Sequence, residues 1–125
     1  MGDGRIVSAR DIETVGKETS MNPETKLMNE IMVALSDTCR VHRINVGTFR
    51  TKDGRIVKSG VAPGFSDLFG HRKSDGRAFY IEVKTETGKA TMKQTKFLKA
   101  MRDSNAITGI ARSVAEAVEI VGGNR

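Results

Sequence analysis

The run Arg77-Ala78-Phe79-Tyr80-Ile81-Glu82-Val83-Lys84-Thr85 constrains the fold of this chain more than any other segment. It is rich in aromatic and β-branched residues, and Asp75-Gly76 and Gly88-Lys89 bracket it, so it reads as a strand. Successive side chains on a strand point to opposite faces, which sets Phe79, Ile81 and Val83 on one side and Tyr80, Glu82 and Lys84 on the other. The acid and the base stand about 7 Å apart along the chain, two strand rises. Alone, a Glu-x-Lys pair of this kind is most simply a solvated face or a cross-strand ion pair. A second acid within reach would change its meaning.

Asp67 is that acid. Ser66–His71 reads as a neighbouring strand, joined to the first by the hairpin loop Arg72-Lys73-Ser74-Asp75-Gly76. Closing the hairpin brings Asp67 near Glu82. Two carboxylates in one place repel unless a cation lies between them. Their oxygen ligands suit magnesium or manganese rather than zinc. The small residues of Ser59-Gly60-Val61-Ala62-Pro63-Gly64, just upstream, leave room for another backbone or for DNA.

The rest of the chain supplies the frame. Asn22-Pro23 opens a helix ending near Asp37, with Leu27, Ile31, Ala34 and Leu35 at helical spacing. Positions 24, 27, 28, 31 and 35 share one face of it, so Glu24 points inward and Glu30 outward. Glu24 is either a third acid of the site or an acid favoured by the helix N-terminus. Val41–Phe49 reads as a strand, Thr51-Lys52-Asp53-Gly54 as a turn and Arg55–Lys58 as a short returning strand. Thr91-Met92-Lys93-Gln94 opens a second helix with a capping box, whose buried stripe is Phe97, Leu98 and Met101. In that setting Gln94 caps the helix, supports the site, or does both. Ala106–Ala111 is a short buried strand, and Ser113-Val114-Ala115-Glu116 a second capping box before a helix to Ile120. The order α-β-β-β-β-α-β-α predicts an α/β sandwich with a mixed sheet. Residues 1–20 lack a sustained period and read as a flexible arm, with a short strand at Arg5–Ala9. Residues 21–125 read as a single domain.

Charge and composition narrow the partners. With 21 Lys+Arg against 15 Asp+Glu the net charge is +6, which favours a polyanion. Lys89, Lys93 and Lys96 form a basic edge near the proposed site, and Arg43, Arg50 and Lys58 are similar candidates for phosphate contact. One Tyr and no Trp argue against base stacking as the main binding mode. Cys39 is the only cysteine, which excludes an internal disulfide and a Cys-rich zinc site and fits a reducing, cytoplasmic home. No apolar run approaches the roughly 18 residues that span a membrane, and no signal-peptide core follows the N-terminus. His42 and His71 read as surface or DNA-contact residues rather than ligands.

Pro63-Gly64-Phe65-Ser66-Asp67-Leu68, Ile81-Glu82-Val83-Lys84, Gly88-Lys89 and Gln94 together resemble the VRR-NUC nuclease domain of the PD-(D/E)xK superfamily. Glu24, Arg43-Ile44-Asn45-Val46-Gly47-Thr48 and Ala111-Arg112-Ser113 extend the resemblance over residues 22–120, and stand-alone phage-encoded copies are similar in length. One departure is that Ser66, not proline, precedes Asp67. The resemblance implies a restriction-endonuclease-like fold, a mixed central sheet flanked by helices. It implies a DNA endonuclease using Mg2+ or Mn2+, with Asp67, Glu82, the Val83 carbonyl and Glu24 on the metal. Lys84 would act on water and phosphate, and Gln94 would sit close by. Arg43, Asn45, Arg50, Lys58, Lys89, Lys93 and Arg112 are the expected DNA contacts. Branched DNA such as four-way junctions or flaps, and a homodimer in the host cytoplasm, complete the expectation. The alternative is a non-catalytic DNA-binding module on a degenerate nuclease fold. A restriction-type enzyme with base readout fits less well, because so short a chain has no spare recognition domain.

Overall fold

Asn22 starts the first helix as expected. Its side-chain oxygen accepts the Thr25 N–H at 2.8 Å, and Pro23 stands at the first helical position, where its fixed φ suits the turn. The helix, α1 (Pro23–Leu35), buries Met28, Ile31 and Leu35. Glu24 is half-buried in its first turn, while Glu30 is exposed and pairs with Lys26 at 2.8 Å. The protein is seen here as a computed structural model describing residues 22–44, 48–58 and 61–123. The expected arm at 1–20, Asn45, and the side chains of Arg50 and Lys58 lie outside the described residues.

The remaining elements are β1 (Cys39–Arg43), β2 (Thr48–Arg50), β3 (Ile56–Lys58), β4 (Leu68–Arg72), β5 (Ala78–Val83), α2 (Met92–Asp103), β6 (Ile107–Ala111) and α3 (Val114–Gly122). Strands in the order β1-β4-β5-β6 form the main sheet, antiparallel except for the parallel β5–β6 pair. The mixed sheet with flanking helices is the restriction-endonuclease-like α/β architecture. β2 and β3 pair with each other in a separate two-stranded sheet.

Two boundaries differ from expectation for a pairing reason. The expected strand over 41–49 is two strands in two sheets. β1 runs out of ladder at Arg43, which pairs with Leu68, the first residue of β4. The Ile44 N–H goes instead to the Asp67 carbonyl at 2.9 Å. Thr48–Arg50 then pairs with Ile56–Lys58 about the Thr51–Arg55 turn, where Gly54 takes a φ of 91°. The second capping box is also altered. Ser113 accepts the Glu116 N–H at 3.0 Å, but the Glu116 carboxylate accepts the Arg112 N–H at 2.7 Å, one residue before the cap.

The sheet has two unlike faces. Leu68, Phe79, Ile81 and Val83 are fully buried against α1 and α3, which contribute Met28, Ile31, Leu35, Ala117 and Val121. Each of the larger of these side chains stabilises the fold by about 1.5–3 kcal/mol. Gly70 sits in this layer, where an added Cβ would lie 1.8 Å from the Arg40 carbonyl oxygen. Backbone cannot yield that space, so Gly70→Ala should cost at least about 3 kcal/mol, the upper end of overpacking. Thermal unfolding of the variant at the wild-type temperature would refute this. The opposite face carries Phe69, Tyr80 and Glu82 and receives Phe97 of α2. No described helix is long and apolar enough to cross a membrane.

Candidate functional site

The β4–β5 register pairs Leu68 with Ile81 and Phe69 with Tyr80. One pair further along, Asp67 stands opposite Glu82. Backbone bonds from both neighbouring strands fix Asp67. Its Oδ2 accepts the Val83 N–H at 2.9 Å, and its carbonyl accepts the Ile44 N–H. The loop before it passes tightly under α2. Gly64 has a φ of 82°, and a Cβ there would meet the Lys93 carbonyl oxygen at 2.4 Å. Ser66, where the resemblance would put proline, is fully buried and donates its hydroxyl to the Leu68 carbonyl at 2.8 Å. That bond braces the bend that aims Asp67.

Glu82 is only 1% exposed. Its Oε2 accepts from Gln94 Nε2 and lies 3.5 Å from Lys84 Nζ. Its Oε1 is buried with no hydrogen-bond partner among the described residues. Burial pushes the carboxyl up to about 8. Repulsion from Asp67 adds to the rise, and the Lys84 charge opposes it. Gln94 performs two tasks at once. Its Oε1 accepts the Thr91 N–H at 2.8 Å to complete the expected capping box, while its amide nitrogen serves Glu82. Lys84 leaves the sheet just beyond β5, its N–H on the Ala111 carbonyl at 3.1 Å, and its side chain is 14% exposed.

Two facing carboxylates, an orphaned buried oxygen and one lysine fit a small divalent cation. Magnesium commonly takes one or two protein carboxylates and completes its shell with water and phosphate oxygens. Among the described residues, no group of three or more His, Cys, Asp or Glu side chains gathers to hold a metal. Glu24 is half-buried in the first turn of α1, whose inward stripe packs on the Phe79–Ile81–Val83 side of the sheet.

The Glu82 shift has a stability consequence for the metal-free chain. The folded state holds this proton up to about pH 8, whereas the unfolded chain releases it near 4.5. The penalty of ionising Glu82 is thus absent below pH 4.5, grows as pH rises, and is complete above 8. Thermal stability in EDTA should fall across that window, and Glu82→Gln should flatten the fall. An equal slope in wild type and variant would count against it.

The other expected residues fall into distinct places. Lys89, Lys93 and Lys96 are exposed around Gln94, at the entrance to α2. Arg43 pairs with Leu68 and so points to the other side of the sheet from Asp67. Arg112 is half-buried, with Nη1 donating to the Thr85 and Gly88 carbonyls at 2.6 Å each. Val83 ends β5 with its N–H on Asp67.

Sequence reasoning missed an aromatic row. His42 pairs with Phe69 and Phe69 with Tyr80, one step along the strands from Asp67 and Glu82. Ring centroids lie 5.2 Å apart in the first pair and 6.4 Å in the second. Phe65 and Phe97, 4.6 Å apart, close over the row from the loop and from α2. The signal was available: Phe65, Asp67 and Phe69 share one parity, as do Tyr80 and Glu82. Arg40, His42 and His71 lie exposed on this same face.

A family model described as "VRR-NUC domain" matches residues 19–115 of the chain, a span that contains Asp67, Glu82, Lys84, Gln94 and Arg112. No curated protein matches the chain in sequence.

Proposed function

The chain belongs to the VRR-NUC domain family of nucleases, and from that premise we propose that it is a Mg2+- or Mn2+-dependent endonuclease acting on branched DNA. The observation that carries the metal requirement is the buried Glu82, its Oε1 without a partner among the described residues, opposite Asp67 and 3.5 Å from Lys84. Asp67 and Glu82 would hold the ion, which when bound lowers the pKa of water and polarises the phosphate. Gln94 ties down one oxygen of Glu82 and leaves the other for the cation. Lys84 presents positive charge where the phosphate gains negative charge. Exposed Lys89, Lys93 and Lys96 favour the phosphate backbone without reading sequence.

Two features favour branched substrates. His42, exposed at the open end of the aromatic row, offers a ring face to an unpaired base at a junction or flap. The family resemblance points the same way and also to a homodimer, in which two sites about a twofold axis would cut both strands. The test is cleavage of four-way junction, flap and plain duplex DNA, each with magnesium, manganese or EDTA, with Lys84→Ala as control. Cutting that needs metal and ranks branched DNA above duplex supports the proposal. Equal cutting of all three substrates removes the branched preference. Binding without cutting under every condition would make the chain a DNA-binding module instead. Gel filtration of the DNA complex as a monomer would remove the dimer.

A further inference from the structure

We propose that Arg112 is a positioning residue for Lys84, an inference that rests on the nuclease reading above. Lys84 is the most flexible member of the site, a charge at the end of four methylenes. Its backbone N–H is held by the Ala111 carbonyl and its Nζ lies 3.5 Å from Glu82, but β5 ends at Val83 and the strand does not hold the stem between them. What confines the stem is the loop that follows. A Cβ on Gly88 would lie 3.5 Å from Lys84 Cδ and 3.6 Å from its Cβ, so the backbone of this loop lies along the aliphatic stem.

That loop has little of its own to keep it there. Within it, the Gly88 N–H donates to the Thr85 carbonyl at 3.2 Å. Arg112 supplies the rest from across the sheet. β5 and β6 run parallel with Val83 beside Ala111, so Arg112 emerges next to the point where Lys84 leaves β5. Its Nη1 donates to the Thr85 and Gly88 carbonyls at 2.6 Å and approaches that of Glu86 at 3.5 Å. The Arg112 backbone is fixed in turn by the Glu116 carboxylate at 2.7 Å. A guanidinium that gathers carbonyls at both ends of a four-residue turn presses that turn onto the lysine. Its Nη1 is spent on these carbonyls rather than offered to DNA.

Arg112→Ala, Arg112→Lys and Gly88→Val test this. The first two weaken the clamp, and the third crowds Lys84 from the loop with the clamp intact. Single-turnover cleavage at saturating DNA and DNA affinity across a salt series separate the roles. For Arg112→Ala the saturating rate should fall about 100-fold, the scale of a roughly 1 Å misplacement. Arg112→Lys should fall in between, and both should bind DNA with the wild-type salt slope. A normal saturating rate, with weaker binding and a salt slope lower by about 1, would make Arg112 a phosphate contact and overturn the inference. Should Arg112→Ala fail to fold, Gly88→Val decides: a wild-type saturating rate there overturns it as well. Acetylation of Lys84 by acetic anhydride, followed by peptide mass spectrometry, gives a readout independent of cutting. It should rise several-fold in Arg112→Ala, and an unchanged extent would overturn the clamp. If the wild-type chain cuts nothing while that rise is seen, the nuclease reading fails and the clamp stands.

Discussion

Lys84→Ala should lose cleavage by about 100- to 1000-fold, the effect of removing one preorganised charge-stabilising group, and should remain folded. The variant leaves Glu82 buried without the cation 3.5 Å away. An ionised carboxylate stranded in that way would be costly. Glu82 has an escape, since burial and Asp67 already hold its proton well above the ordinary range. It stays neutral at pH 7 and the fold survives. The same variant should bind divalent metal at least as tightly as wild type, because a positive charge beside the carboxylates has gone. Circular dichroism, calorimetric metal titration and single-turnover cleavage check the three claims. An unfolded variant would make Lys84 structural, and unimpaired cleavage would remove it from the chemistry.

Asp67→Asn should have the larger effect and a sign that differs between function and stability. In the proposed metal-dependent reaction the ion is worth several kcal/mol of transition-state stabilisation, so its loss should lower cleavage by about 1000-fold or more. Yet the metal-free protein should melt at a higher temperature at pH 7. The amide oxygen can still accept the Val83 N–H, while the repulsion that raises Glu82 disappears. The pair is a place where stability is given up for function. Melting in EDTA and in magnesium, beside cleavage, checks this. A lower melting temperature in EDTA would mean that the Asp67 charge stabilises the fold.

The neighbouring carboxylates were legible because a strand has a period of two and a hairpin closes on itself. Asp67, Glu82 and Lys84 needed only alternation and one turn to be placed together. Their aromatic neighbours obey the same rule and were overlooked because Tyr and Trp were counted rather than located. Register was harder. The alternation through Arg43 was visible, but its pairing with Leu68, which decides the side of the sheet, was not. Glu24 meets a related limit: helical phase says which residues face inward, not which layer they face. Arg112 was beyond local reasoning altogether, since the carbonyls it gathers lie 24 to 27 residues upstream.

Gln94 joins two events that are usually separate. The side chain that closes the first turn of α2 is the one that orients Glu82, so that carboxylate is set only while the turn is wound. Every fraying of the helix end is also a brief disassembly of the site. The exchange rates of the Thr91 and Gln94 amides with solvent deuterium therefore measure how much of the time the nuclease is ready to cut.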